Sequence, residues 1–197
     1  MIITVASFKG GVGKTTTAVH LAAYMQKRAP TLLLDGDQNR SALAWTERGR
    51  LPFKIADERQ AARYARDYEH TIIDTEAHPS TGDLRTLVGG CDLLVIPTTP
   101  DGLSLHALMQ TVSALDALGA DRYRVLLTIV PPRPNRDGDE AREMLKARKL
   151  PMFKGEIRRR IAFQKAVIAG VPVYDVDDPR AAEAWADYER IGKEIVR

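Results

Sequence analysis

An α/β fold with a mostly parallel central sheet and helices on both faces is predicted by three features of the sequence. Apolar runs alternate with helix-patterned segments along nearly the whole chain. The runs are unbroken, as in strands buried on both faces, and do not alternate polar with apolar. Each run ends in polar or unusual residues, and sheets of this kind bind ligands outside the carboxyl ends of their strands.

In chain order, Ile2–Ala6 reads as a strand. Lys14–Lys27 follows as a helix, with Ala18, Leu21, Ala22 and Met25 at i, i+3, i+4 and i+7. Thr31–Leu34 is a strand ending at Asp35, and Ser41–Gly49 and Asp57–Tyr68 read as helices. His70–Ile73 is a strand ending at Asp74, Ser80–Val88 a helix and Leu93–Pro97 a strand. Leu103–Leu118 is a long helix stopped by Gly119, and Arg124–Val130 a strand stopped by Pro131-Pro132. Asp137–Lys149 reads as a helix, Met152–Lys154 as a short strand, Arg159–Ala169 as a helix stopped by Gly170, and Pro179–Val196 as the last helix.

With 197 residues the chain is expected to form one domain, residues 1–197. Its single cysteine, Cys91, excludes an internal disulfide and fits a reducing cytosol. No apolar run approaches the ~20 residues of a membrane span, and the N-terminal apolar stretch is too short for a signal peptide. A cytoplasmic location is therefore expected. There is no C-x-x-C pair to carry a metal cluster, and no helix-turn-helix segment precedes the first strand.

The segment Lys9-Gly10-Gly11-Val12-Gly13-Lys14-Thr15-Thr16 leaves a strand and opens a helix. Glycines allow successive backbone N–H groups to curl around an oxygen cluster, and the helix N-terminus adds its positive dipole end. Lys14 is placed to reach β- and γ-phosphates, and the Thr15 hydroxyl to ligate Mg²⁺. Phe8 stands where the strict phosphate-loop pattern has its first glycine, and a second lysine, Lys9, sits at the mouth of the loop. Asp35 and Asp37 follow the second strand, where carboxylates serve either phosphate chemistry or a turn and helix cap before Ser41. Asp74 ends the run Thr71-Ile72-Ile73.

KGGVGKTT resembles the deviant Walker A box of the ParA/MinD family of ATPases, and the likeness continues through LLLDGDQNRSA, TIIDTEAHPS, LLVIPTTPDGLSLHAL and AGVPVYD. The resemblance implies the P-loop NTPase fold, ATP and Mg²⁺ as cofactors, and a homodimer formed around bound ATP. It further implies that Lys14 serves its own nucleotide and Lys9 the neighbour's, and that Asp37 positions the attacking water. Asp35 would sit nearer the metal and Asp74 would hold it through water. Pro131-Pro132-Arg133 and Gly170-Val171-Pro172-Val173-Tyr174 would build the adenine pocket, with Pro132, Arg133, Pro172 and Val173 as its contacts. After Asp74 this chain has Thr75-Glu76-Ala77-His78-Pro79 in place of the family's proline-rich switch, which adds Glu76 and His78 there.

Residues 142–165 hold nine basic and two acidic side chains. Lys146, Arg148, Lys149, Arg158, Arg159 and Arg160 suit phosphate contact along duplex DNA without base reading; solvated arginines or internal salt bridges are the other reading. ParA-type relatives bind chromosomal DNA non-specifically through this part of the chain, and the resemblance implies a nucleoid-associated location. The arginines lie far in sequence from the phosphate loop, so the two surfaces are expected to be separate. Trp185, Tyr188, Ile191 and Ile195 form a stripe on the last helix, expected to dock on the core and not on a membrane. The reading is a slow ATPase, stimulated by a ParB-like or cargo adaptor, that positions a plasmid, a chromosome locus or a cytoplasmic body. The alternatives are a metabolic kinase or ligase using ATP as co-substrate, and a MinD-like membrane-associated positioning ATPase.

Overall fold

The apolar runs pair into one six-stranded sheet, all of whose neighbours are parallel. In this computed structural model, which describes residues 1–77 and 81–197, the strands are β1 (Ile2–Ser7), β2 (Thr31–Gly36), β3 (Lys54–Asp57), β4 (His70–Ala77), β5 (Leu93–Thr98) and β6 (Tyr123–Leu127). Their spatial order is β3-β2-β4-β1-β5-β6. The helices are α1 (Lys14–Gln26), α2 (Ser41–Thr46), α3 (Ala61–Tyr64), α4 (Thr81–Gly90), α5 (Gly102–Ala117), α6 (Asp137–Ala147), α7 (Ile161–Ala169) and α8 (Ala181–Ile195). His78 and the expected helix start at Ser80 lie outside the described residues.

Successive strand residues point to opposite faces, and the core divides accordingly. Ile3, Val5, Leu33, Ile55, Ile72, Val95 and Leu126 face one way and pack with residues of α1, α2, α7 and α8. Leu94, Ile96, Val125 and Leu127 face the other and pack with Leu84 of α4, Leu108, Val112 and Leu115 of α5, and Ala141 and Leu145 of α6. Both faces are covered by helices, which is why the strands read as continuous apolar runs.

Three local readings are corrected. Residues 57–68 do not form one helix. The Asp57 side chain accepts a hydrogen bond from the Arg59 N–H and starts a 3-10 turn, Glu58–Gln60, followed by α3 and a second 3-10 turn, Ala65–Asp67. The preceding edge strand, β3, gave no run to read, because only Ile55 and Ala56 are apolar and they pack on opposite faces. The strand expected at Met152–Lys154 is a single bridge from Met152 to Val125, and β6 ends at Leu127.

α8 docks on α1, as its stripe implied: Trp185, Tyr188 and Ile191 are buried. The helices meet where Gly192 faces the Tyr24 ring, and Arg28 stacks on that ring at 4.0 Å and donates to its hydroxyl at 2.5 Å. A Cβ at Gly192 would run into the ring, which Arg28 holds in place. Gly192→Ala gains about 1 kcal/mol of helix propensity, but overpacking costs about 1–3 kcal/mol. A thermal melt is expected to show a lowered Tm; an unchanged or raised Tm would mean that the helices are less closely apposed.

Candidate nucleotide site

Four of the strands end on one another's level, and their ends carry the polar residues. β1 runs into the loop 8–13, in which Gly11 and Gly13 adopt φ of 77° and 84°. These left-handed conformations are open to glycine without strain, which explains two of the three loop glycines. Gly13 also caps α1, its carbonyl accepting from the Thr17 N–H at 2.9 Å. The loop is fastened from behind, because the Thr128 hydroxyl lies 2.7 Å from the Val12 carbonyl and 3.1 Å from that of Thr98. Thr128 was not singled out in the sequence, and its polar character beyond an apolar strand was the only signal.

The two loop lysines differ. Lys14 is buried at the start of α1; burial lowers its pKa, while the charges of Asp74 and Asp37 raise it. Lys9 is turned toward the N-terminus of α5, where its ammonium donates to Asp101 at 3.1 Å and to the Ser104 hydroxyl at 2.8 Å. Asp101 caps α5 by accepting from the Ser104 N–H at 3.0 Å. Burial raises the Asp101 carboxyl, but hydrogen bonds from Ser104, Thr99 and Lys9 outweigh it and hold the group well below the usual carboxylate range.

Strand register sets the carboxylates in a row: Asp57 pairs with Asp35 across β3 and β2, and Asp35 with Asp74 across β2 and β4. Like charges side by side on neighbouring strands oppose folding, and each is handled differently. Asp57 forms an ion pair with Arg40 at 2.6 Å. Asp35 accepts from the Asp37 N–H at 3.0 Å and the Leu43 N–H at 2.8 Å, so its oxygens hold the turn into α2. That is the cap role, and it leaves Asp35 less free for a metal than the family resemblance implied. Asp37 lies beyond the end of β2 and accepts from the N–H and side-chain amide of Asn39.

Asp74 is fully buried, and neither carboxylate oxygen has a hydrogen-bond partner. Burial pushes it up to about 7; the Thr15 hydroxyl pulls against this from outside hydrogen-bond geometry, as does the Lys14 charge. An orphaned carboxylate beside a helix-start threonine is a donor set that fits Mg²⁺, which takes one or two carboxylates and completes its shell with water and phosphate. Among the described residues no group of three His, Cys, Asp or Glu converges as a closed metal cage, so Thr15 and Asp74 would hold the ion together with a phosphate.

A cavity of about 290 Å³ adjoins the loop, lined by Gly13 and Thr16 on one side and by Phe163, Val167 and Tyr188 on another. Thr128, Ile129 and Ile157 complete its apolar wall, and Arg158, Arg159 and Arg160 also border it. A flat ring fits between such walls. The residues expected around the base do not line this cavity: Pro132 and Arg133 line a second cavity of about 430 Å³, and Val173 is fully buried in the core. In the sequence Tyr188 belongs to the α8 stripe and Phe163 to no motif, so neither marks a ring-binding wall.

The arginines correct the expected separation, since all three border the cavity beside the loop. Arg160 is also not a surface cation. Its side chain is 7% exposed, it bonds Glu183 at 2.7 Å and its Nε lies 3.8 Å from the buried Asp187. Lys146 is paired with Glu143 at 2.8 Å on α6. Arg148, Lys149, Arg158 and Arg159 remain exposed.

A strand, a glycine loop, a helix-start lysine and a buried carboxylate on the neighbouring strand of a parallel sheet define a P-loop ATPase architecture. The chain belongs to the CobQ/CobB/MinD/ParA nucleotide-binding family, whose model matches residues 3–173. It is 36% identical to the Maintenance of carboxysome distribution protein A of Gloeobacter kilaueensis, across 100% of this chain and 94% of that protein. In structure it is similar to a plasmid partition protein of Borrelia burgdorferi bound to AMPPNP, with a TM-score of 0.76, 20% identity, and coverage of 99% of this chain and 98% of that one. It is likewise similar to apo McdA of Cyanothece, with a TM-score of 0.75, 17% identity, and coverage of 100% and 99%.

The raised Asp74 carboxyl has a direct consequence for stability. A folded pKa of about 7 against an ordinary value of 3.8 means that the folded chain holds the proton more tightly than the unfolded one. Stability of the nucleotide-free protein therefore falls as pH rises between about 4 and about 7. Asp74→Asn removes this penalty. The variant is expected to melt above the parent at pH near 8, with the difference shrinking as pH falls below about 7; an equal or lower Tm near pH 8 would contradict it.

Proposed function

We propose that the chain is a ParA-type ATPase, one ATPase domain over residues 1–197, that binds ATP with Mg²⁺, closes into a homodimer around it, and binds duplex DNA non-specifically in that state. The observation that carries the reading is the pairing of the glycine loop and Lys14 with the unsatisfied, buried Asp74 on the adjacent strand. In this reading the loop N–H groups and Lys14 hold the β- and γ-phosphates, and Thr15 and Asp74 hold Mg²⁺, which supplies charge neutralisation on the phosphates. Asp37 orients the attacking water, and Lys9 leaves Asp101 and Ser104 to reach the partner's nucleotide. The base lies against Phe163 and Tyr188. An adaptor protein stimulates slow hydrolysis and so releases the protein from DNA.

The cargo follows by analogy. A relative matching the full chain is named for carboxysome distribution, which favours a cytoplasmic protein body over a plasmid. Among the described residues no helix is long and apolar enough to cross a membrane, and the α8 stripe is packed against α1, so the MinD-like alternative lacks a free amphipathic helix there.

Asp37→Ala is expected to bind ATP, hydrolyse it at least about tenfold more slowly, and accumulate as dimer. Lys9→Ala is expected to keep nucleotide affinity and remain monomeric. Size-exclusion with ATP and Mg²⁺ separates the two; a monomeric Asp37→Ala together with a dimeric Lys9→Ala would overturn the assignment.

DNA binding is expected with ATP and not with ADP, and alike on unrelated sequences. If Arg148, Lys149, Arg158 and Arg159 each meet one phosphate, a dimer neutralises about eight, and log affinity falls against log salt with a slope of about −7. The clean variant is Arg148→Glu with Lys149→Glu, away from the cavity, which weakens DNA binding and spares ATP. Mobility shifts that are independent of nucleotide, or unchanged in that variant, would count against DNA as the partner.

A further inference from the structure

His20 lies nearly two turns into α1, fully buried, and it borders neither cavity. Its Nδ1 is 2.7 Å from the Thr16 carbonyl, and its Nε2 is 3.0 Å from the backbone nitrogen of Val173. These partners fix the tautomer. A carbonyl only accepts, so Nδ1 carries the proton, and the Val173 N–H only donates, so Nε2 accepts. The ring also stacks on Tyr188, with centroids 4.8 Å apart and planes at 14°, and meets Phe163 edge-on at 5.4 Å and 90°. Tyr188 is held from its other end by the Thr17 hydroxyl, 3.1 Å from its own.

Thr16, Phe163 and Tyr188 are three of the residues lining the cavity beside the loop. One ring therefore touches the phosphate-side wall through Thr16 and the ring-binding wall through Phe163 and Tyr188. It also grips, at Val173, the segment that follows α7. We propose that His20 is a positioning residue that sets the distance and angle between the phosphate loop and the wall that receives the nucleobase. It acts through its neighbours and touches no ligand. The inference rests on the reading that a nucleotide occupies this cavity. A neutral ring is required, because a protonated Nε2 cannot accept from Val173; burial, opposed by the hydrogen bond to Thr16, lowers the group to about 4 and keeps it neutral.

A positioning role differs from a general packing role in which ligand it affects. Phosphates alone need the loop, whereas a nucleoside triphosphate needs loop and wall in register. The measurement is the affinity of ATP and of inorganic tripolyphosphate, each with Mg²⁺, for the parent, His20→Phe and His20→Gln. Phe keeps an aromatic face and loses both hydrogen bonds; Gln keeps a donor and an acceptor. His20→Phe is expected to lose about tenfold or more in ATP affinity while tripolyphosphate binds within about twofold of the parent, and His20→Gln to recover most of the loss. Should His20→Phe fail to fold, His20→Asn, which is too short to hold both Thr16 and Val173, carries the same expectation. Equal losses for both ligands, or no loss for either, would overturn the positioning role. A parent that binds neither ligand would instead overturn the nucleotide reading on which it stands.

Discussion

A carboxylate sealed into the core without a hydrogen bond is the constraint around which this molecule is arranged. Asp74 lies inside β4, which runs on to Ala77 past the end expected at Asp74; it has strands on both sides, lies beside Asp35 across β2 and β4, and is fully buried. Burial of an unsatisfied ionisable group is costly, and its neutralisation through a raised pKa is the ordinary response. Lys14, Thr15 and the glycine loop stand against it because β1 pairs directly with β4. The parallel register that makes the sheet therefore also makes the site, and a bound cation would relieve the burden that the free chain carries.

The arginine segment gives the site its second character. Residues 157–160 run past the end of β6, with Val130 bridged to Arg158, and border the cavity next to the loop. Asp187 of α8 accepts from the Arg158 N–H at 3.3 Å and lies near the Arg160 guanidinium, so the segment is tied to the helix whose Tyr188 also lines the cavity. Two surfaces that looked separable by distance along the chain thereby adjoin in space. A ligand filling the cavity would therefore lie against the same short stretch of backbone that carries the exposed Arg158 and Arg159.

What the sequence made legible was local. The loop was readable because glycines and lysines at fixed spacing between a strand and a helix have few other uses, and five of the six strands were readable because burial on both faces removes polar residues. β3 was hidden by its length and by having one apolar residue per face. The turn role of Asp35 was one of two readings open to it, and it becomes visible only with the position of the Leu43 N–H. The burial of Arg160 depends on Glu183 and Asp187, more than twenty residues away, and a basic run looks alike whether solvated or paired. His20, Thr128, Phe163 and Tyr188 come from four elements that meet only in the folded chain, so no spacing rule could group them.

The central claim is that the glycine loop, Lys14, Thr15 and Asp74 form one site for a metal-bound nucleoside triphosphate. Calorimetric titration of ATP into the parent, with Mg²⁺ and with a chelator, and into Lys14→Ala with Mg²⁺, tests it most directly. The account predicts one ATP per chain for the parent, much weaker binding without the metal, and a loss of about ten- to a hundredfold when the lysine is removed. Binding of equal strength in all three titrations would contradict it.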